Sequence, residues 1–208
     1  MNFSLCHGVP EFLYLLTMDY LKTERLILRH FTTEDVDALF ALMSDGEVNA
    51  FLPMFPMERV EEAEEYLQYI EEYVRRGGFY YAICLKEEGV PIGCVHVCED
   101  ESHDLGYCIR KEFWGKGICT EACRAVIEML KKTGIPYVTA THDVNNPRSG
   151  KVMQAVGMTY RYSYEEQWQP KDKLVTFRMY QLNLDGEESR VYRKYWDKYA
   201  VHFVEDMQ

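Results

Sequence analysis

A strand, a glycine-bearing turn and an amphipathic helix follow one another without a break between Asp104 and Lys132. No other stretch constrains the fold as tightly. Asp104 to Ile109 reads as an apolar strand and Arg110 to Phe113 as a charged turn. Trp114-Gly115-Lys116-Gly117-Ile118-Cys119 then leads into the helix. From Ile118 onward Ala122, Ala125, Val126 and Met129 fall on one face at helical spacing. Thr120 and Glu121 open the helix, Lys131 and Lys132 close it and Gly134 stops it, the charge order that the helix dipole favours.

Gly115 and Gly117 lack side chains, so the backbone there can curl with its N–H groups inward and approach a ligand closely. A helix N-terminus behind such a turn makes an anion cradle suited to a phosphate or pyrophosphate. An ordinary strand-to-helix turn uses the same glycines, and no Gly-Lys-Ser/Thr closes the loop as a Walker motif would.

The remaining elements alternate around this unit. Thr23 to His30 reads as a strand, and Thr32 with Asp35 as a capping pair for a helix striped by Val36, Leu39, Phe40 and Met43. Asn49 to Met57 is an apolar loop broken by two prolines. A second helix spans about Glu58 to Arg76, with Val60, Ala63, Leu67, Ile70 and Val74 facing inward. Phe79–Leu85 and Pro91–Val97 form a hairpin by spacing. After the central helix come a strand from Ile135 to His142 and a short helix capped by Asn146, with Pro147 in its first position. Met158–Trp168 and Lys173–Leu184 are the last two strands. Val191, Tyr192, Tyr195, Tyr199 and Phe203 keep helical spacing in a tail that packs on its own domain or on a second copy.

Composition narrows the functional classes. The 208 residues suffice for one domain with a substantial core, and 47% apolar with 14% aromatic residues fits a globular protein. A net charge of −11 argues against nucleic acid and suits a cationic acceptor. No apolar run reaches the ~20 residues that span a bilayer. Phe12 to Leu16 is apolar, yet neither a preceding Lys or Arg nor a cleavage site makes it a signal peptide. Seven cysteines cannot all pair, and the chain is not cysteine-dense in the secreted manner, so reduced thiols and a cytoplasmic location are expected. No spacing of Cys and His completes a metal site. Cys119 stands at a helix N-terminus, which lowers a thiol's pKa, or it serves packing or loop contact.

The stretch resembles motif A of the GCN5-related N-acetyltransferases, Arg/Gln-x-x-Gly-x-Gly/Ala, whose loop binds acetyl-CoA. Trp114 stands at the Arg/Gln position, Gly117 at the inner Gly and Cys119 at the final Gly/Ala. Trp-Gly-Lys-Gly followed by Thr120-Glu121-Ala122 is similar to the branch that acetylates ribosomal-protein N-termini. Leu21 to Arg29, Asn146-x-x-Ser149 and Val156-Gly157-Met158 extend the resemblance over about residues 18–184. It divides the chain into an extension (1–17), an N-acetyltransferase domain (18–184) and a helical tail (185–208), with a family-like start at Met18.

The resemblance implies a mixed α/β fold, a splayed sheet of about seven strands flanked by helices. Acetyl-CoA would lie in the opening between the motif strand and the next. Backbone groups near Cys108, Ile109 and Arg110 would pair with the pantetheine arm. Amides from Gly115 through Lys116, Gly117, Ile118 and Cys119 to Thr120, with Trp114 beside them, would take the pyrophosphate. Lys116 adds charge or is simply solvated. Asn146 would contact the arm while capping its helix. Many relatives protonate the leaving sulfur with a tyrosine seven residues after this Asn, where this chain has Met153. Ser149 is then the candidate acid, directly or through water, or only a helix-start hydrogen bond.

For the base, Asp104 stands where relatives often carry Glu, with Glu99, Glu101 and His103 close by. Each of these is otherwise a solvated loop charge. From Glu58 to Glu72 seven glutamates face one arginine, an acidic face that is solvated or steers cationic acceptors. The expected activity is acetyl transfer to a protein or peptide α-amine, by a monomer or homodimer. A polyamine or aminoglycoside acceptor, or a non-catalytic acyl-CoA-binding role, is the alternative.

Overall fold

The computed structural model describes residues 20–206. The expectations for residues 1–17 and for a start at Met18 lie outside them. Strands β1 (Tyr20–Lys22), β2 (Leu26–Arg29), β3 (Phe79–Leu85), β4 (Pro91–Val97) and β5 (Leu105–Ile109) form one antiparallel sheet in that order. Strands β6 (Tyr137–Asp143), β7 (Thr159–Trp168), β8 (Lys173–Asn183) and β9 (His202–Phe203) form a second, in the order β6-β8-β7-β9. The sheets meet in parallel at one bridge, between Asp104 and Thr139. Beyond it β5 and β6 share no ladder, and a cleft opens between them.

The mixed α/β, splayed architecture is as expected, with two more strands than the expected seven. β1 and β9 are two or three residues long, too short for alternation to reveal.

Helix α1 (Val36–Met43) follows a 3-10 turn at Thr33–Asp35, where the Asp35 carboxylate accepts from the Thr32 amide at 2.8 Å. Next come α2 (Gly46–Asn49) and α3 (Val60–Arg75). The inner face of α3 is Ala63, Leu67, Ile70 and Tyr73, while Val60 is exposed. Val60 opens the helix and meets solvent, and the Tyr73 hydroxyl completes burial by donating to the Val97 carbonyl at 2.7 Å.

Helix α4 (Ile118–Leu130) lays Ala122, Cys123, Val126, Ile127 and Leu130 against Leu26, Leu28 and Ile83 of the first sheet. Leu130 has no accessible surface. Leu130→Ala removes three buried carbons and leaves a cavity, so it should cost about 2–5 kcal/mol, read as a lower urea midpoint with an unchanged slope. An unchanged midpoint would mean that this helix is not part of the cooperative core.

Helix α5 (Pro147–Ala155) follows β6. The tail is helical only over α6 (Lys194–Lys198), not throughout. Its apolar residues serve a sheet edge instead: His202 and Phe203 pair with Tyr164 and Ser163 of β7. Glu205 anchors the end by accepting from Ser163 and the Arg178 guanidinium. Tyr192, Tyr195 and Tyr199 pack on Tyr162 and Tyr164. Among the described residues no helix is long and apolar enough to cross a membrane.

Candidate active site

The loop between β5 and α4 has the backbone of a cradle. Gly115 and Gly117 both take φ of +72°, the left-handed region that side chains resist. Gly117 precedes the first helical turn and has no capping side chain. The amides of Ile118, Cys119 and Thr120 therefore lack intrahelical acceptors, because the first helical bond runs from the Glu121 amide to the Gly117 carbonyl. The loop is braced from the turn between β1 and β2: the Arg25 side chain binds Glu121 at 2.6 Å and donates to the Lys116 carbonyl at 2.9 Å. Trp114 donates its indole N–H to the Ile109 carbonyl at 2.9 Å, and the Arg148 guanidinium lies 5.0 Å from the Trp114 ring centre.

The cleft holds about 1440 Å³. Asp104, Cys108, Ile109, Trp114, Gly115, Gly117, Ile118, Cys119, Thr120, Asn146 and Ser149 all line it. Two predicted residues do not. Arg110 pairs with Glu112 at 2.6 Å, and exposed Lys116 sits with its ammonium 5.3 Å from the Phe113 ring. Burial pushes the Cys119 thiol up to about 12, not down as its place at a helix start suggests.

Asn146 caps α5 as expected, its side-chain oxygen accepting from the Ser149 amide at 3.4 Å. Ser149 has a further partner that sequence reading missed. The Tyr107 hydroxyl donates to the Ser149 carbonyl at 2.8 Å and lies 3.0 Å from Oγ. Burial raises the Tyr107 pKa, so the phenol keeps its proton. Met153, at the tyrosine position, is buried and has no proton to give.

Asp104 sits where the two sheets part, its carboxylate accepting from the Thr139 hydroxyl at 3.2 Å. Crowding by protein on its inner side pushes its pKa up to about 6, although it faces the cleft. Its sequence neighbours are elsewhere: Glu99 pairs with Arg76 at 3.3 Å, and His103 edges the Tyr137 ring. None of Glu99, Glu101 and His103 lines the cleft.

His96 does line the cleft. It stacks on Tyr80 at 5.1 Å over Gly106, where any Cβ would strike its ring. Its Nδ1 is buried with no partner among the described residues. Helix α3 contributes Tyr66, Tyr69 and Tyr73, and none of its glutamates. Glu62 and Glu65 line a smaller pocket beside the cleft, and the two share Met54, Tyr66 and Tyr69. These tyrosines escaped the apolar stripe because their hydroxyls made them read as surface. Among the described residues no three His, Cys, Asp or Glu side chains cluster as metal ligands.

Known proteins resemble this chain in sequence and in fold. The uncharacterized N-acetyltransferase p20 of Bacillus licheniformis is 27% identical, covering 79% of this chain and 96% of its own length. The microcin C7 self-immunity acetyltransferase MccE, solved in complex with acetyl-CoA and AMP, superposes with a TM-score of 0.68 at 16% identity, over 77% of this chain and 93% of that one. The ribosomal-protein-S5-alanine acetyltransferase of Vibrio fischeri gives 0.67 at 20% identity, over 80% and 97%. The model of the acetyltransferase (GNAT) domain matches residues 25–159, which run from β2 through β6 and α5 and include the whole cradle. With that match over more than half its length, the chain belongs to the GNAT N-acetyltransferase family.

Proposed function

We propose that this chain transfers an acetyl group from acetyl-CoA directly to a primary amine, the N-terminal α-amine of a peptide or protein. One observation carries the reading: a cleft between splayed strands, with a left-handed glycine turn at one end and Asp104 at the parting of the sheets. The amides of Gly115 to Thr120 take the pyrophosphate, and the β5 backbone from Cys108 to Arg110 runs beside the pantetheine arm. Acetyl-CoA bound to the structurally similar MccE supports this. An N–H of β5 polarises the thioester carbonyl. Holding the two substrates together supplies a large share of the rate.

Asp104 accepts the proton of the incoming ammonium, being ionised above pH 6. An α-amine, with a pKa near ~8, loses that proton more easily than lysine at ~10.4. The aromatic wall of Tyr66, Tyr69 and Tyr73 suits an apolar residue beside the amine. The name of the Vibrio fischeri neighbour, a ribosomal-protein-S5-alanine acetyltransferase, points to the same acceptor class. A short amine is the second reading. It is favoured by Lys171, whose ammonium donates to Asn49 at 3.0 Å and ties the β7–β8 turn to the α2 rim of the cleft. Rates with short peptides and with diamines of matched amine pKa separate the two. Faster peptides support the first reading, and turnover of diamines alone overturns it.

Ser149 protonates the departing sulfur, with Tyr107 holding it in place. Ser149→Ala should lower turnover ~10-fold or more with unchanged acetyl-CoA affinity. Equal turnover, measured beside calorimetry, would assign the proton to solvent.

A further inference from the structure

Two cysteines distant in sequence share the cleft wall. Cys94 of β4 and Cys108 of β5 are register partners, and their sulfurs lie 3.3 Å apart. Hydrogen-bonded pairs alternate along an antiparallel ladder. The Arg110 amide donates to the Ile92 carbonyl at 2.9 Å, and the Cys98 amide to the Asp104 carbonyl at 3.0 Å. Counting inward from either bond makes Cys94 and Cys108 a hydrogen-bonded pair, with Cα atoms roughly 5.5 Å apart. A disulfide spans that separation without a shift of backbone.

Both residues line the cleft, Cys108 half-buried and Cys94 nearly closed off. Their surroundings differ from those of the other thiols. The Cys108 thiol donating to it, with His96 and Tyr80 alongside, holds Cys94 well below the ordinary thiol range despite burial. Burial pushes Cys98 up to about 11 and Cys119 up to about 12. Direct acetyl transfer makes no use of this pair.

The geometry points to a second reactive site, a Cys94–Cys108 dithiol that reduces a coenzyme A disulfide seated in the acetyl-CoA cleft. The inference rests on the acetyl-CoA reading, since the glycine cradle must hold the nucleotide for the disulfide to reach β5. The Cys94 thiolate takes the proton of Cys108, the more open thiol, across their 3.3 Å contact as the Cys108 sulfur attacks one sulfur of the bound disulfide. The S–S bond breaks, and the first coenzyme A leaves as a thiolate that takes this proton from Cys94. Cys94, again the thiolate, then attacks the Cys108 sulfur of the mixed disulfide. The second coenzyme A leaves and takes from solvent the proton that Cys94 had released on ionising. Two protein thiols become one disulfide while one coenzyme A disulfide becomes two thiols, a balanced two-electron exchange. A disulfide without the nucleotide has nothing to hold it at the cradle.

The test uses the full chain, reduced and freed of reductant under nitrogen, then mixed with coenzyme A disulfide or with oxidised glutathione. Intact mass and chromatographic release of coenzyme A are followed. The parent should lose the mass of two hydrogens and release two coenzyme A per chain, ~10-fold or more faster than glutathione reacts, about 1.4 kcal/mol of guidance from the cradle. Excess acetyl-CoA should slow the reaction. Cys94→Ser should stall as a single coenzyme A adduct on Cys108, and Cys108→Ser should form no cross-strand bond. A parent that stays fully reduced, that carries its adduct on Cys119, or that reacts equally fast with glutathione overturns the proposal. Calorimetry with acetyl-CoA on the same sample separates the two readings. Binding without exchange removes only the dithiol site, and absent binding removes the acetyl-CoA reading and the dithiol with it.

Discussion

Gly117→Val is expected to weaken acetyl-CoA binding ~100-fold or more, about 2.7 kcal/mol or above, while the protein stays folded. At φ of +72° a valine is strained by about 1–2 kcal/mol, and its branches stand among the amides that take the pyrophosphate. The fold itself has room, since the nearest atom to a Cβ there is the exposed Arg25 guanidinium at 3.7 Å. The backbone relieves its strain by turning residue 117 out of the left-handed region, which turns the cradle amides away. Gly117→Ala should fall between parent and Val. Calorimetry giving the parent affinity for a folded Gly117→Val protein would remove the cradle from the account.

Asp104→Asn should lower turnover at pH 8 by about 100-fold or more, because a carboxamide cannot accept the ammonium proton. The parent carboxyl titrates at about 6, raised by burial. Below that pH it carries a proton and cannot act, so kcat/KM should rise through pH 6 to a plateau, and the Asn variant should lose that limb. The stability sign runs opposite to that of a salt-bridged carboxylate. Burial favours the neutral acid, so its contribution is full below the usual carboxylate value and is lost as pH rises through about 6. Asn stays neutral throughout, and the variant should melt no lower than the parent at pH 8. Parent-like turnover with an intact pH 6 limb would move the base elsewhere in the cleft, with His96 the first group to examine.

Much of the fold is legible in local pattern. Phe79–Leu85 and Pro91–Val97 are the observed β3 and β4, because two apolar runs and the five-residue turn between them mark the hairpin. Asn146-Pro147 marks the start of α5 because cap and first-turn preferences are local chemistry. Partnership across the sheet was not legible. Alternation places Cys94 and Cys108 on faces of their strands but says nothing of register, so neither their contact nor His96 over Gly106 could be read. Tyr107 was hidden for the same reason, since its partner Ser149 sits on α5, three elements later. In the tail, tyrosines at helical spacing turned out to follow the needs of β7, whose open edge was settled by β9. The helix start beside Cys119 was legible, but the burial that raises its thiol depends on packing between elements distant in sequence.

Direct acetyl transfer from acetyl-CoA to an amine is tested by following both products in one reaction. Protein, acetyl-CoA and a panel of N-terminal peptides and short amines are incubated at pH 8. Free coenzyme A and the acceptor mass are then measured together. The account predicts equimolar release of coenzyme A and appearance of N-acetylated acceptor, with no acetyl group retained on the protein. Tight acetyl-CoA binding with no acetylated acceptor across the panel, or an acetyl group that stays on a cysteine, would contradict it.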